Sequence, residues 1–102
     1  MNLRVLIKMA LAVITLKIMP ENAEINLDEL KEKSFSAISE FVKEEEPETK
    51  TEIEPIAFGL SALKIIFVMD ESIGSPDPVA EIISKFEEVA SAEIVDARRA
   101  IG

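Results

Sequence analysis

Residues 11–19 alternate in polarity, with Ala12, Ile14, Leu16 and Ile18 on one side and Thr15 and Lys17 on the other. That period of two predicts a half-buried strand, ended by Pro20 and Asn22. The period then changes. Asn26 stands where a helix N-cap belongs, with Glu29 three residues on as in a capping box, and Leu27, Leu30, Ser34, Ala37, Ile38, Phe41 and Val42 recur at helical spacing. This helix should stop before Pro47, beyond the acidic run 44–46, which reads as a solvated end. Residues 49–53 interleave Thr49, Thr51 and Ile53 with Lys50 and Glu52, predicting a short strand whose charge suits a sheet edge. Residues 60–69 are apolar in both registers, Leu63, Ile65, Phe67 and Met69 against Ala62, Ile66 and Val68, as a central strand requires. After a turn-rich loop at 70–76, Asp77 as N-cap and Pro78 at the first helical position open a second helix bearing Val79, Ile82, Ile83, Phe86 and Val89. Residues 92–101 supply a last strand through Ile94 and Val95, and Asp96, Arg98 and Arg99 leave the assignment of its faces open.

The order strand, helix, strand, strand, helix, strand predicts an α+β fold, the ferredoxin-like βαββαβ sandwich: one four-stranded antiparallel sheet with two helices on one face. The other face stays open, with Thr15, Lys17 and Lys64 on it and Ile66 and Val68 on or near it, and an open face is a natural docking surface. A single domain is expected over residues 9–102. Residues 1–8 form an N-terminal extension in which Leu3, Val5, Leu6 and Ile7 either lengthen the first strand or precede a natural initiator at Met9.

Composition narrows the chemistry. Twenty acidic against eleven basic residues give a net charge of −9 over 102 residues, so a basic protein is a better partner than a nucleic-acid backbone. The chain has no Cys and no His, which removes disulfides, thiol catalysis, the commonest zinc ligand and the usual near-neutral proton shuttle. Only carboxylates are left to hold a hard cation or do acid–base work, so enzymatic chemistry of the familiar kinds is disfavoured and no cofactor or metal is expected, and the missing cysteines fit a reducing, cytoplasmic setting. Arg4 and Lys8 precede the apolar run 9–16 in the manner of a signal peptide. Lys17 interrupts that run and Pro20-Glu21 replaces a cleavage site, so a soluble, unprocessed chain without a membrane span is expected. Three glycines, Gly59, Gly74 and Gly102, cannot build a dinucleotide fingerprint or phosphate loop, and Asp70, Ser72, Gly74 and Asp77 have the wrong offsets for a calcium loop. Paired carboxylates such as Glu44 with Glu46 or Glu87 with Glu88 read as solvated faces. RNA stacking on the central strands would need aromatics, and they offer only Phe67, on the side expected to face the helices.

One segment stands apart. Glu54-Pro55-Ile56-Ala57-Phe58-Gly59-Leu60 frames a large aromatic with a proline and a glycine, in a chain with no Trp, no Tyr and five Phe. Pro55 fixes φ and Gly59 permits positive φ, so the segment reads as a rigid turn between two strands. Spacing allows two readings of Phe58: a plug closing the core beneath a hairpin, or a wedge aimed at a partner. Arg98 and Arg99 form the one adjacent cationic pair and read either as surface pairing with carboxylates or as an electrostatic contact with a partner.

With the Pro55-to-Leu60 string in place, the chain resembles the archaeal translation elongation factor 1-beta family, small nucleotide exchange factors for elongation factor 1-alpha. The likeness extends to Lys17-Ile18-Met19-Pro20, Asn26-Leu27-Asp28-Glu29-Leu30 and Val95-Asp96-Ala97-Arg98-Arg99. It implies a factor that binds the GDP-bound and nucleotide-free GTPase, speeds GDP release for GTP reloading during protein synthesis, and is monomeric when free. It also implies a partner-binding set of Pro55, Ile56, Ala57, Phe58, Gly59, Arg98 and Arg99. In related eukaryotic factors the matching Phe enters a pocket on the GTPase, and a C-terminal Lys that disturbs the magnesium site falls nearest Arg99. A ferredoxin-like regulatory module binding a small molecule at a dimer interface is the competing reading; it calls for a paired sheet edge and a glycine-bearing loop at the ligand site, with Gly74 the candidate outside the Phe58 turn.

Overall fold

The computed structural model describes residues 10–99; the expectations for residues 1–8 and for the end of the last strand lie outside them. The elements run β1 (Leu11–Pro20), α1 (Leu27–Val42), β2 (Thr49–Ala57), β3 (Leu60–Asp70), a 3₁₀ turn (Glu71–Ile73), α2 (Asp77–Ser84) and β4 (Val89–Arg99). The sheet order is β2-β3-β1-β4, with every neighbouring pair antiparallel. This is the ferredoxin-like sandwich that the alternating periods predict.

Alternation in β1 and β3 separates the two faces. Ile14, Leu16 and Ile18 of β1 pair with Phe67, Ile65 and Leu63 of β3, and all six are buried. Leu30, Ala37, Ile38 and Val42 of α1 and Val79, Ala80 and Ile83 of α2 close over them. Charged β2 lies at the edge and apolar β3 inside, as their compositions require. Asn26 caps α1, its side-chain oxygen accepting from the Asp28 and Glu29 amides at 2.9 and 3.1 Å. The helix ends at Lys43, in the left-handed conformation with its amide bonded to the Ser39 carbonyl.

Two local expectations change, and the open assignment in the last strand is resolved. The second helix stops at Ser84, so Phe86 lies in the connection and Val89 opens β4, although both fit a helical spacing. Asp77 is not the cap of that helix; the Ser75 hydroxyl accepts from the Asp77 amide at 3.1 Å. In β4 the pairing jumps from Thr15↔Asp96 to Leu16↔Ile94, leaving Val95 as the extra residue of a bulge. That bulge is what blurred the faces: Asp96 and Arg98 pair with Thr15 and Val13 on the open side, and Arg99 pairs with Ala12 on the other.

Candidate functional site

The turn between β2 and β3 is tighter than the sequence suggests. Pro55 is inside β2, paired with Ser61, where an edge strand tolerates the missing amide donor. Ile56 is the extra residue of a bulge, and Ala57 pairs with Leu60. Only Phe58 and Gly59 form the loop, with φ of 52° and 78°. Positive φ at both central residues marks the turn whose twist matches a hairpin, normally built from Asn-Gly or Asp-Gly. A Phe in this conformation is an outlier, disfavoured by about 1–2 kcal/mol because its β-carbon crowds the following carbonyl.

Phe58 is 103% exposed, so it is no plug for the core. Ile53 and Ile56 on the same hairpin are 52% and 44% exposed, so the hairpin also presents these two apolar side chains to solvent. Sequence reasoning missed Ile53, which read only as one position of a charged edge strand. It pairs with buried Leu63 on the helix-covered side yet stands outside the core cluster. On the helix side of the turn, a cleft of about 120 Å³ opens between Gly59 and Ser61 and the loop after β1, with Pro20, Ala23 and Leu27 across it.

The open sheet face carries balanced charge. Glu54 of β2 lies 3.2 Å from Lys17 and 3.8 Å from Lys64, and the ammonium groups, Lys17 foremost, hold its carboxyl below the usual 4.5. Ile66 and Val68 are half-buried beside these lysines, and Phe67 is fully buried on the opposite side. The face thus offers a mixed polar and apolar platform without aromatics for stacking bases.

The structure does not bring the predicted site residues together. Arg99 aligns with Ala12 and thence with Met69, nine residues along β3 from Leu60, so the arginine end lies about 30 Å from the Phe58 turn. There Arg99 makes a two-pronged contact with Glu71, Nε and Nη2 donating to its carboxylate oxygens at 2.8 and 3.0 Å. These hydrogen bonds lower the Glu71 pKa and raise that of Arg99. Arg98 pairs with Asp96 at 2.9 Å on the open face. Nothing in the sequence joins Glu71 to Arg99, 28 residues apart. Among the described residues no group of three or more acidic side chains is placed to hold a metal ion, and no helix is long and apolar enough to cross a membrane.

The fold is similar to that of the de novo designed protein Foldit4, with a TM-score of 0.51 over 91% of this chain and 97% of that one at 12% identity. The likeness is one of fold alone. Sequence comparison reaches further. Elongation factor 1-beta of Methanobrevibacter smithii is 44% identical over 87 residues, 85% of this chain and 93% of its own length. That of Pyrococcus abyssi is 45% identical over 80 residues, covering 78% and 84%, and that of Nanoarchaeum equitans 38% over 85 residues, covering 83% and 100%. The model of the EF-1 guanine nucleotide exchange domain matches residues 13–100, from the first strand of the sheet through the last, and the chain accordingly belongs to that family.

Proposed function

We propose that the chain accelerates GDP release from elongation factor 1-alpha by seating the Phe58 ring in a pocket of the GTPase while the open sheet face and the arginine end rest on a second region of the partner. Nucleotide exchange on elongation factor 1-alpha is the role of the family. The observation that carries the mechanism is Phe58 itself, a fully exposed ring on a two-residue turn. Removing that ring from water in a partner pocket contributes about 2–3 kcal/mol.

A release rate raised roughly 10³- to 10⁴-fold needs about 4–5.5 kcal/mol of preferential stabilisation of the release transition state. Phe58 alone is insufficient for this. The remainder is assigned to contacts of the open face around Lys17, Lys64 and Ile66 and to weakened magnesium coordination near Arg98 and Arg99. Because the two ends are about 30 Å apart along the strands, one pocket cannot take both, and the partner must span the length of the sheet. Pro55, Ile56, Ala57 and Gly59 shape and flank the wedge. The factor makes and breaks no bonds, acts in the cytoplasm as a monomer, and binds nucleotide-free partner more tightly than the GDP-bound form by the coupling factor.

The small-molecule reading gains no support from the cleft beside Gly59, since about 120 Å³ falls below the ~300 Å³ at which ligand pockets begin. Gly74 does not line it. Mixing the chain with elongation factor 1-alpha loaded with fluorescent GDP tests the proposal: release should accelerate with factor concentration and saturate. An unchanged release rate at saturating factor would exclude it.

A further inference from the structure

We propose that the left-handed turn at residues 58–59 is a positioning device for the Phe58 ring, kept in opposition to the stability of the chain's own fold; this rests on the reading of Phe58 as the wedge. The turn has positive φ at both residues. Asn in the first position would fit this conformation with little strain, because its short polar side chain bonds locally, whereas Phe brings a crowded β-carbon and no polar atom. The ring returns nothing to its own molecule, being 103% exposed and outside the core cluster. A strained residue without internal contacts lowers folding stability and persists where its placement serves something outside the fold.

The surroundings over-determine the conformation. Ala57 pairs with Leu60 and fixes the loop at two residues, and the bulge at Ile56 sets the local twist just upstream. Gly59 supplies the second positive φ; a β-carbon there would meet only the Ala23 Cβ at 3.8 Å, an ordinary contact, so backbone conformation and not space demands glycine. Placement is specific to position 58. Residue 57 pairs with Leu60, in register with Ala62 and Lys64 of the open face, so a ring at 57 would lie over that face instead of projecting from its end.

Two variants test this, F58N and A57F/F58N, each compared with the wild type by thermal unfolding and by GDP release from elongation factor 1-alpha. F58N should raise Tm by about 4–8 °C and slow factor-promoted release by about 30-fold or more. A57F/F58N restores an aromatic ring to the hairpin yet should recover less than a tenth of the lost rate. A Tm for F58N at or below that of the wild type would overturn the opposition between placement and stability while leaving the wedge in place. Wild-type release by F58N would overturn the wedge as well. Full recovery by A57F/F58N would make ring content, and not placement, the determinant.

Discussion

Replacing Phe58 by alanine isolates the ring from the fold. The side chain has no burial to lose, and alanine at φ of 52° retains the same backbone crowding, so folding stability should stay within about 0.5 kcal/mol of the wild type. On the partner the ring contributes about 2–3 kcal/mol when fully removed from water. At about 1.36 kcal/mol per decade, that converts to a loss of roughly 30- to 160-fold in the rate of factor-promoted GDP release. Stopped flow with a fluorescent GDP analogue measures it directly, at subsaturating factor so that docking and release both contribute. Release within about threefold of wild type, with an unchanged melting curve, would refute the energetic argument, since that is ~0.65 kcal/mol and too small for a buried aromatic.

Arg99→Ala should slow release less than Phe58→Ala, and its defect should shrink when magnesium is chelated; equal losses with and without chelator would contradict action through the cation. With about 30 Å between the ends, the Phe58→Ala and Arg99→Ala losses should multiply in the double variant, their free energies adding within about 0.5 kcal/mol. Glu54, Glu71 and Glu88 have carboxyl pKa values below 4.5 in the fold, held there by Lys17, Arg99 and Lys33. Depressed acids stabilise above the unfolded pKa and lose that contribution as pH falls through the folded value. Tm should therefore drop as pH goes below about 4.5, less steeply in a triple Glu→Gln variant, and identical slopes would remove these pairs from the acid response. Ser34 is fully buried with no hydrogen-bond partner for its hydroxyl, so Ser34→Ala should leave stability unchanged or raise it by up to about 1 kcal/mol in urea unfolding.

The sheet was legible because burial on one face imposes alternation. Ile14, Leu16 and Ile18 in β1 and Leu63, Ile65 and Phe67 in β3 announce the covered side, and Lys50 and Glu52 mark β2 as an edge. Asn26 announced the start of α1 through a side chain that satisfies its first amides. The end of α2 was not legible, because Phe86 and Val89 keep a spacing that a helix, a turn and a strand start all satisfy. The candidate site was legible in composition and not in geometry. Gly59 signalled a turn, but Pro55 belongs to the strand, and turn preferences would never place a Phe at positive φ. Its full exposure is a tertiary fact, since the core cluster includes neither residue of the loop. The Glu71–Arg99 contact joins two elements separated by β1 in the sheet, so local pattern carries no trace of it.

In the proposed mechanism the Phe58 ring, solvated in the free chain, becomes buried in the GTPase. Incorporating 4-fluorophenylalanine at position 58 and recording the fluorine chemical shift in H₂O and in D₂O measures that burial. A full solvent-isotope shift is expected in the free factor, and its loss on binding nucleotide-free elongation factor 1-alpha. A ring that keeps its solvent-isotope shift in the complex would contradict it.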